Sequence, residues 1–162
     1  MKKTNTGYTL IELMVTVAIL SIITFIAVPG VGTAIQGNRI KSSANNLYSL
    51  FIFARAEAAR KGIIVTVGAI DNNWAKGAVA WIDDDGDALF DAAKDTELRR
   101  TVPGYDLDVV EANNISKVTI NGRGYLSSAL AIGFCDDKTD TKDKQLRVLL
   151  SGVAIVAEKE DC

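Results

Sequence analysis

The chain contains no histidine. Every Ser-His-Asp or Cys-His nucleophile and every imidazole-held metal centre is thereby excluded. Only two cysteines occur among its 162 residues, Cys135 and Cys162, too far apart for a C-x-x-C redox or metal motif. Such a pair, one member at the chain terminus, is either two inert thiols in a reducing compartment or a staple closing the tail in an oxidising one. Charge of one sign is also missing in excess. Basic residues number 18 and acidic ones 20, a formal net of -2, so there is no global electrostatic reason to bind polyanions. No internal repeat and no low-complexity linker divides the sequence, and its length holds one ordinary domain with a real core but not two.

What is present in quantity is apolar surface, and it is concentrated early. Leu13 to Asn38 carries no charge, and up to Val28 it is broken only by Thr16, Ser21 and Thr24. As a helix these 26 residues reach about 39 Å against a hydrocarbon core of about 30 Å. Lys2 and Lys3 precede the run, so the positive-inside bias leaves the first residues in the cytoplasm and places the remainder of the chain outside it. The cysteines then lie where disulfides form. A removable secretory signal is the competing reading, with Gly32-Thr33-Ala34 as a weak cleavage site. Glu12 argues against it, because a carboxylate at the head of an apolar run is costly and marks a function by default.

Gly7-Tyr8-Thr9-Leu10-Ile11-Glu12-Leu13, after a short basic leader and before an apolar run, closely resembles the class III signal of type IV pilins and type II secretion pseudopilins. The resemblance implies cleavage by a prepilin peptidase between Gly7 and Tyr8, methylation of the new Tyr8 amine, and a role in assembly for Glu12. It also implies a helix kink at Pro29. Tyr8 and Glu12 share a helix face at i, i+4, and a carboxylate in the first turn meets the positive end of the helix dipole. With staggered helices, Glu12 of one subunit meets the amine of Tyr8 on the next, and the pair fixes a register.

Beyond Pro29, Ile40, Ala44, Leu47, Phe51, Ala54 and Ala58 recur at helical spacing with polar residues between them, an amphipathic stripe that ends at Gly62. From Tyr8 to Lys61 a continuous helix of 54 residues spans about 81 Å, more than a domain of this size needs, so its hydrophobic half is expected to project. Eight short β-type runs follow, over 63–70, 78–82, 98–102, 107–110, 117–120, 129–134, 146–150 and 153–157, most of them separated by turn residues such as Asn121-Gly122 and Ser151-Gly152. The expected fold is α+β and pilin-like: a long N-terminal helix, hydrophobic half projecting and amphipathic half packed, on an antiparallel β-sheet or β-sandwich.

With Trp81-Ile82-Asp83-Asp84-Asp85-Gly86-Asp87, Glu97-Leu98-Arg99-Arg100, Gly122-Arg123-Gly124 and Ser151-Gly152, this order is similar to the GspH/FimT/FimU group of minor pilins and pseudopilins. The implied organisation is a leader over 1–7, a transmembrane and filament-core helix over 8–38, and a periplasmic head over 39–162, made of an amphipathic helix 39–62 and a β domain 63–162. The implied location is the inner membrane, single-pass, and then the pilus or pseudopilus. The implied partners are other major and minor pilins or pseudopilins and the prepilin peptidase. The implied work is initiating or capping a type IV pilus; a type II secretion pseudopilin and a DNA-receptor pilin are the alternatives. No enzymatic activity, cofactor or metal is expected.

Three groups of residues bear on chemistry. Asp83, Asp84, Asp85, Asp87 and Asp91 offer hard oxygens for calcium, but an EF-hand frame with Gly86 sixth puts Trp81 first and Ala92 twelfth, so the loop reads as a solvated turn. Some FimT-like pilins capture DNA through a C-terminal Gly-Arg-Xaa-Arg; here the corresponding residues are Gly152-Val153-Ala154-Ile155, and residues 136–162 hold five basic against seven acidic side chains. DNA binding is therefore not expected unless folding gathers Arg99, Arg100, Lys117 and Arg123. A disulfide between Cys135 and Cys162 would close a loop of roughly 28 residues, contributing about 3.6 kcal/mol by loop entropy, and would tie down the acidic tail.

Overall fold

The computed structural model describes residues 8–102, 107–135 and 143–159, excepting the side chains of 26–34. One helix, α1 (Leu10–Lys61), is followed by eight strands: β1 (Val65–Ala69), β2 (Ala78–Ile82), β3 (Thr96–Thr101), β4 (Asp108–Glu111), β5 (Lys117–Ile120), β6 (Leu130–Cys135), β7 (Lys144–Val148) and β8 (Ala154–Glu158). The chain forms two compact units, Met1–Ile35 and Gln36–Cys162.

In the first unit α1 begins with a cap. Thr9 precedes the first helical residue, and the backbone N–H of Glu12 is shared between the Thr9 carbonyl at 3.1 Å and the Thr9 Oγ1 at 3.3 Å, the second a side-chain cap on the first turn. From Leu10 to Phe25 every residue is exposed. The three hydroxyls that interrupt this apolar surface do not reach outward for partners: Thr16 donates to the Leu13 carbonyl, Ser21 to Val17 and Thr24 to Leu20, all at 2.7–2.8 Å. Among the described residues no helix is long and apolar enough to cross a membrane; the uncharged run continues into residues 26–34, whose side chains lie outside the description.

In the second unit α1 turns one stripe inward. Ile40, Ala44, Leu47, Phe51, Ala54 and Ala58 are all buried, joined by Ser43 and Leu50. The helix stops at Gly62, whose φ of 69° is a left-handed conformation that glycine adopts without cost. Gly62 and Ile63 both donate to the Ala58 carbonyl, at 2.8 and 3.2 Å, which satisfies one of the last orphan acceptors of the helix.

The strands make two four-stranded antiparallel sheets, ordered β3-β2-β1-β5 and β4-β6-β7-β8. Alternation decides what faces the helix: Val65, Val67, Ala78, Ala80, Val118 and Ile120 from the first sheet share one core with Ile132, Phe134, Leu146 and Val148 from the second and with the helix stripe. That core lies wholly within Gln36–Cys162, so this unit carries its own means of folding.

All eight expected strands form, β2 and β5 with the expected bounds and the others with ends moved by one or two residues. The connection between β1 and β2 is built of two 3-10 turns, Ile70–Asn72 and Trp74–Lys76. Trp74 is buried there against Phe51 and donates Nε1–H to the Ile115 carbonyl at 2.8 Å. The run 146–150 also moves, because Leu149 closes the β7–β8 turn rather than ending a strand. Gly152 donates to the Leu149 carbonyl at 2.8 Å and Leu149 to that of Val153 at 2.9 Å. Gly152 takes φ 78°, and a Cβ on it would stand 2.1 Å from the Gly124 carbonyl oxygen, so only glycine fits this corner.

Candidate functional site

Of the N-terminal residues named from the sequence, Glu12 lies in the first turn of α1, and Tyr8, expected to begin the helix, stands two residues before its start at Leu10. Tyr8 is 88% exposed and Glu12 is exposed one turn later. Gly7 and the side chain of Pro29 lie outside the described residues, although the helix runs through position 29. Thr9-Leu10-Ile11-Glu12 is the pattern of a capping box, Ser or Thr followed three residues later by Glu. The N–H of Glu12 holding the Thr9 hydroxyl is one half of that motif. The sequence reading missed it, though the spacing alone carries the signal.

Cys135 ends β6, opposite Asp108 of β4. It is buried and disulfide-bonded. Cys162 lies outside the described residues.

The acidic loop between β2 and β3 uses its carboxylates internally. Asp83 accepts from the backbone N–H groups of Gly86 and Ala88 at 2.8 and 3.0 Å, Asp87 from Leu89 at 2.6 Å, and Asp95 from Asp91 at 2.7 Å. These are the local Asx bonds that build a turn. Carboxylate oxygens of Asp83, Asp85 and Asp87 lie within 4.8 Å of one another, but a cation of the chain itself stands beside them. Lys94 Nζ is 3.3 Å from Asp85 and 3.9 Å from Asp91. The hydrogen bond to Asp85, then the fields of Asp85, Asp91 and Asp87, push the Lys94 ammonium pKa up. The Asp87 backbone N–H, followed by Lys94, holds that of Asp85 down.

Of the four basic residues, Arg100 and Lys117 line one groove beside Gly68 and Val79, and neither Arg99 nor Arg123 borders it. Arg99 lies over the Phe53 ring at 5.5 Å. Arg100 is paired bidentately with Glu97, at 2.8 and 3.2 Å, and stacks on Phe90. Lys117 donates to the Ala88 carbonyl, three strands from Arg100 along the row Arg100, Val79, Gly68, Lys117. Arg123 is held in the turn after β5, its N–H on Asn121 Oδ1. A phosphate backbone needs cations presented together.

This geometry has known counterparts. Two crystal forms of the type IV minor pilin FimU from Pseudomonas aeruginosa share the fold. One matches with a TM-score of 0.63 at 21% identity over 77% of this chain and 96% of that one, the other with 0.60 at 22% over 75% and 98%. No curated protein matches the chain. The prokaryotic N-terminal methylation motif matches residues 2–28, which include Tyr8 and Glu12. The family described as type II transport protein GspH matches residues 43–153, more than half of the sequence and nearly all of the helix-and-two-sheet unit. The chain therefore belongs to the GspH family of pilin-like proteins and carries the methylation motif at its N-terminus.

Proposed function

We propose that the chain is a minor pilin, a subunit held in the inner membrane by one helix and then incorporated into a type IV pilus whose assembly it helps to initiate or cap. The observation that supports this reading is the succession in one chain of a methylation motif over 2–28 and a GspH head over 43–153, on a fold shared with a minor pilin. In this reading residues 1–7 are removed after Gly7, Tyr8 becomes the methylated amine, residues 8–38 form the span and filament helix with Pro29 as its bend, and 39–162 is a periplasmic head. Glu12 pairs with the Tyr8 amine of a neighbouring subunit. Cys135 pairs with Cys162, the only other cysteine in the chain. The protein binds other pilins and catalyses nothing.

A second reading, a pseudopilin of a type II secretion system, is favoured by the family's description as a transport protein. A deletion strain scored together for surface pili, secretion and transformation separates the two. Loss of pili with secretion intact is the expected result; loss of secretion with intact pili would transfer the assignment to the second reading. Mass spectrometry of the membrane-extracted protein is expected to find a methylated N-terminus at Tyr8, whereas a start at Ile35 would mean an ordinary signal peptide and end both.

A further inference from the structure

The first sheet has a second face, turned away from the core, and successive side chains of each strand alternate between the two. On this outer face the register sets Arg100 of β3, Val79 of β2, Gly68 of β1 and Lys117 of β5 side by side. Glycine leaves the row hollow at its middle. A Cβ on Gly68 would stand 2.9 Å from Cη2 of Trp81 and 3.1 Å from Cβ of Lys117, so the aromatic ring and the lysine stem close around an empty place. With Ala88 to Phe90 of the loop after β2, this row bounds a groove of about 420 Å³. Sites for small ligands commonly hold about 300 to 1,000 Å³, apolar walls and a few placed polar groups.

The walls and the polar groups are both of one kind here. Trp81 and Phe90 form the apolar side, their ring centroids 5.6 Å apart. The two cations reach toward the same short segment, Lys117 donating to the Ala88 carbonyl and the Arg100 guanidinium standing 5.5 Å from the centre of the Phe90 ring. Each keeps further donors. Arg100 gives Nε and Nη2 to Glu97, which leaves Nη1, and an ammonium carries three N–H groups of which Lys117 uses one. The carboxylate that borders the groove, Asp71, is held by Lys76 at 2.9 Å. Trp81 is 3% exposed, and its Nε1–H has no acceptor among the described residues. A buried donor without a partner is uncommon, and an acceptor brought by a ligand removes its cost.

We infer that this groove is a binding site for a small carboxylic acid with a flat apolar body. The body lies over Gly68 against Trp81 and Phe90, and the carboxylate takes the donors left on Arg100 and Lys117, whose charge strengthens each hydrogen bond. The backbones that carry the two cations are three strand spacings, about 14 Å, apart, a length that suits one compact molecule.

The probe is phenylacetate, titrated into the Gln36–Cys162 unit and followed by the indole N–H resonances. That of Trp81 is expected to shift saturably, while that of Trp74, already held by the Ile115 carbonyl, stays in place. Acetate, which lacks the ring, and phenylethanol, which lacks the charge, are each expected to bind about tenfold or more weakly. Arg100→Met and Lys117→Met keep an apolar stem and remove the charge. Each is expected to weaken phenylacetate about fivefold or more and to leave phenylethanol unchanged. Gly68→Ala fills the hollow and is expected to abolish binding; if it also moves the Trp74 resonance, the methionine variants decide alone. A Trp81 resonance that does not respond to phenylacetate well into the millimolar range overturns the inference, as does acetate binding equally well. A methionine variant that weakens both aromatic compounds alike shows a cation that only props the loop, and overturns it too. None of these outcomes depends on whether the chain serves a pilus or a secretion system.

Discussion

Glu12 combines two chemistries in one side chain. Its N–H holds the Thr9 hydroxyl and its carboxylate lies in the first turn, so a helix-start role and an intersubunit ion pair make different demands on it. Glutamine satisfies a capping box as well as glutamate does but brings no charge. Glu12→Gln is therefore expected to accumulate normally in the membrane and to be scarce in sheared filaments, while Thr9→Ala, which loses only the cap at a cost of about 1 kcal/mol, should assemble. Parental amounts of Glu12→Gln in the sheared fraction would reduce Glu12 to a helix starter. A second residue-scale expectation concerns acid. Hydrogen bonds from Arg60 and Lys61, at 2.7 and 3.0 Å, lower the Glu57 carboxyl from 4.5 to about 2. A carboxyl lowered on folding contributes stability above its unfolded pKa and loses it as pH falls through the folded one. The gap in Tm between the parent and Glu57→Gln should hold from neutrality to about 4.5 and close by about 2; a gap that persists at the lower limit contradicts this. The sequence displayed Glu12 as a charge out of place. The cap is as legible in Thr9, three residues before Glu12, by spacing alone.

At the scale of elements, the helix stripe and the eight strands were legible because each buries a face and so writes its period into the sequence. Trp74 was not, since what seats it is the carbonyl of Ile115, 41 positions away, and local spacing contains no trace of that partner. The β7–β8 hairpin shows a finer limit. Ser151-Gly152 announced a turn, but the left-handed φ of Gly152 and its approach to the Gly124 carbonyl decide where the strands stop. Gly152→Ala is expected to cost more than about 1 kcal/mol, read as a lower urea midpoint with an unchanged slope. Cys162→Ser should open the tail and destabilise the head by up to about 3.6 kcal/mol without altering membrane insertion. Peptide mapping of the parent that finds Cys135 free would remove the basis for that expectation.

For the whole molecule, charge and topology act together. If cleavage follows Gly7, loss of Lys2 and Lys3 leaves 16 basic against 20 acidic side chains, a net of -4. On the first sheet Arg100 is held by Glu97 and Lys117 by a backbone carbonyl. The head is accordingly expected to leave DNA unshifted even at low salt; tight binding that weakens steeply with added salt would contradict it. The methylation motif was legible early because seven contiguous residues, Gly7 to Leu13, lie within it. Which strands end the two sheets was not, because that is settled by strand order and by no residue alone. The hydroxyls of Thr16, Ser21 and Thr24, each closed on a carbonyl of its own helix, have a consequence for movement. In the proposed reading of a membrane-held subunit, these three side chains meet lipid tails and the apolar side of another helix on equal terms. Their hydrogen bonds need not break when one surrounding replaces the other, so they do not hold the subunit in the bilayer, and a single charged contact can steer its exit.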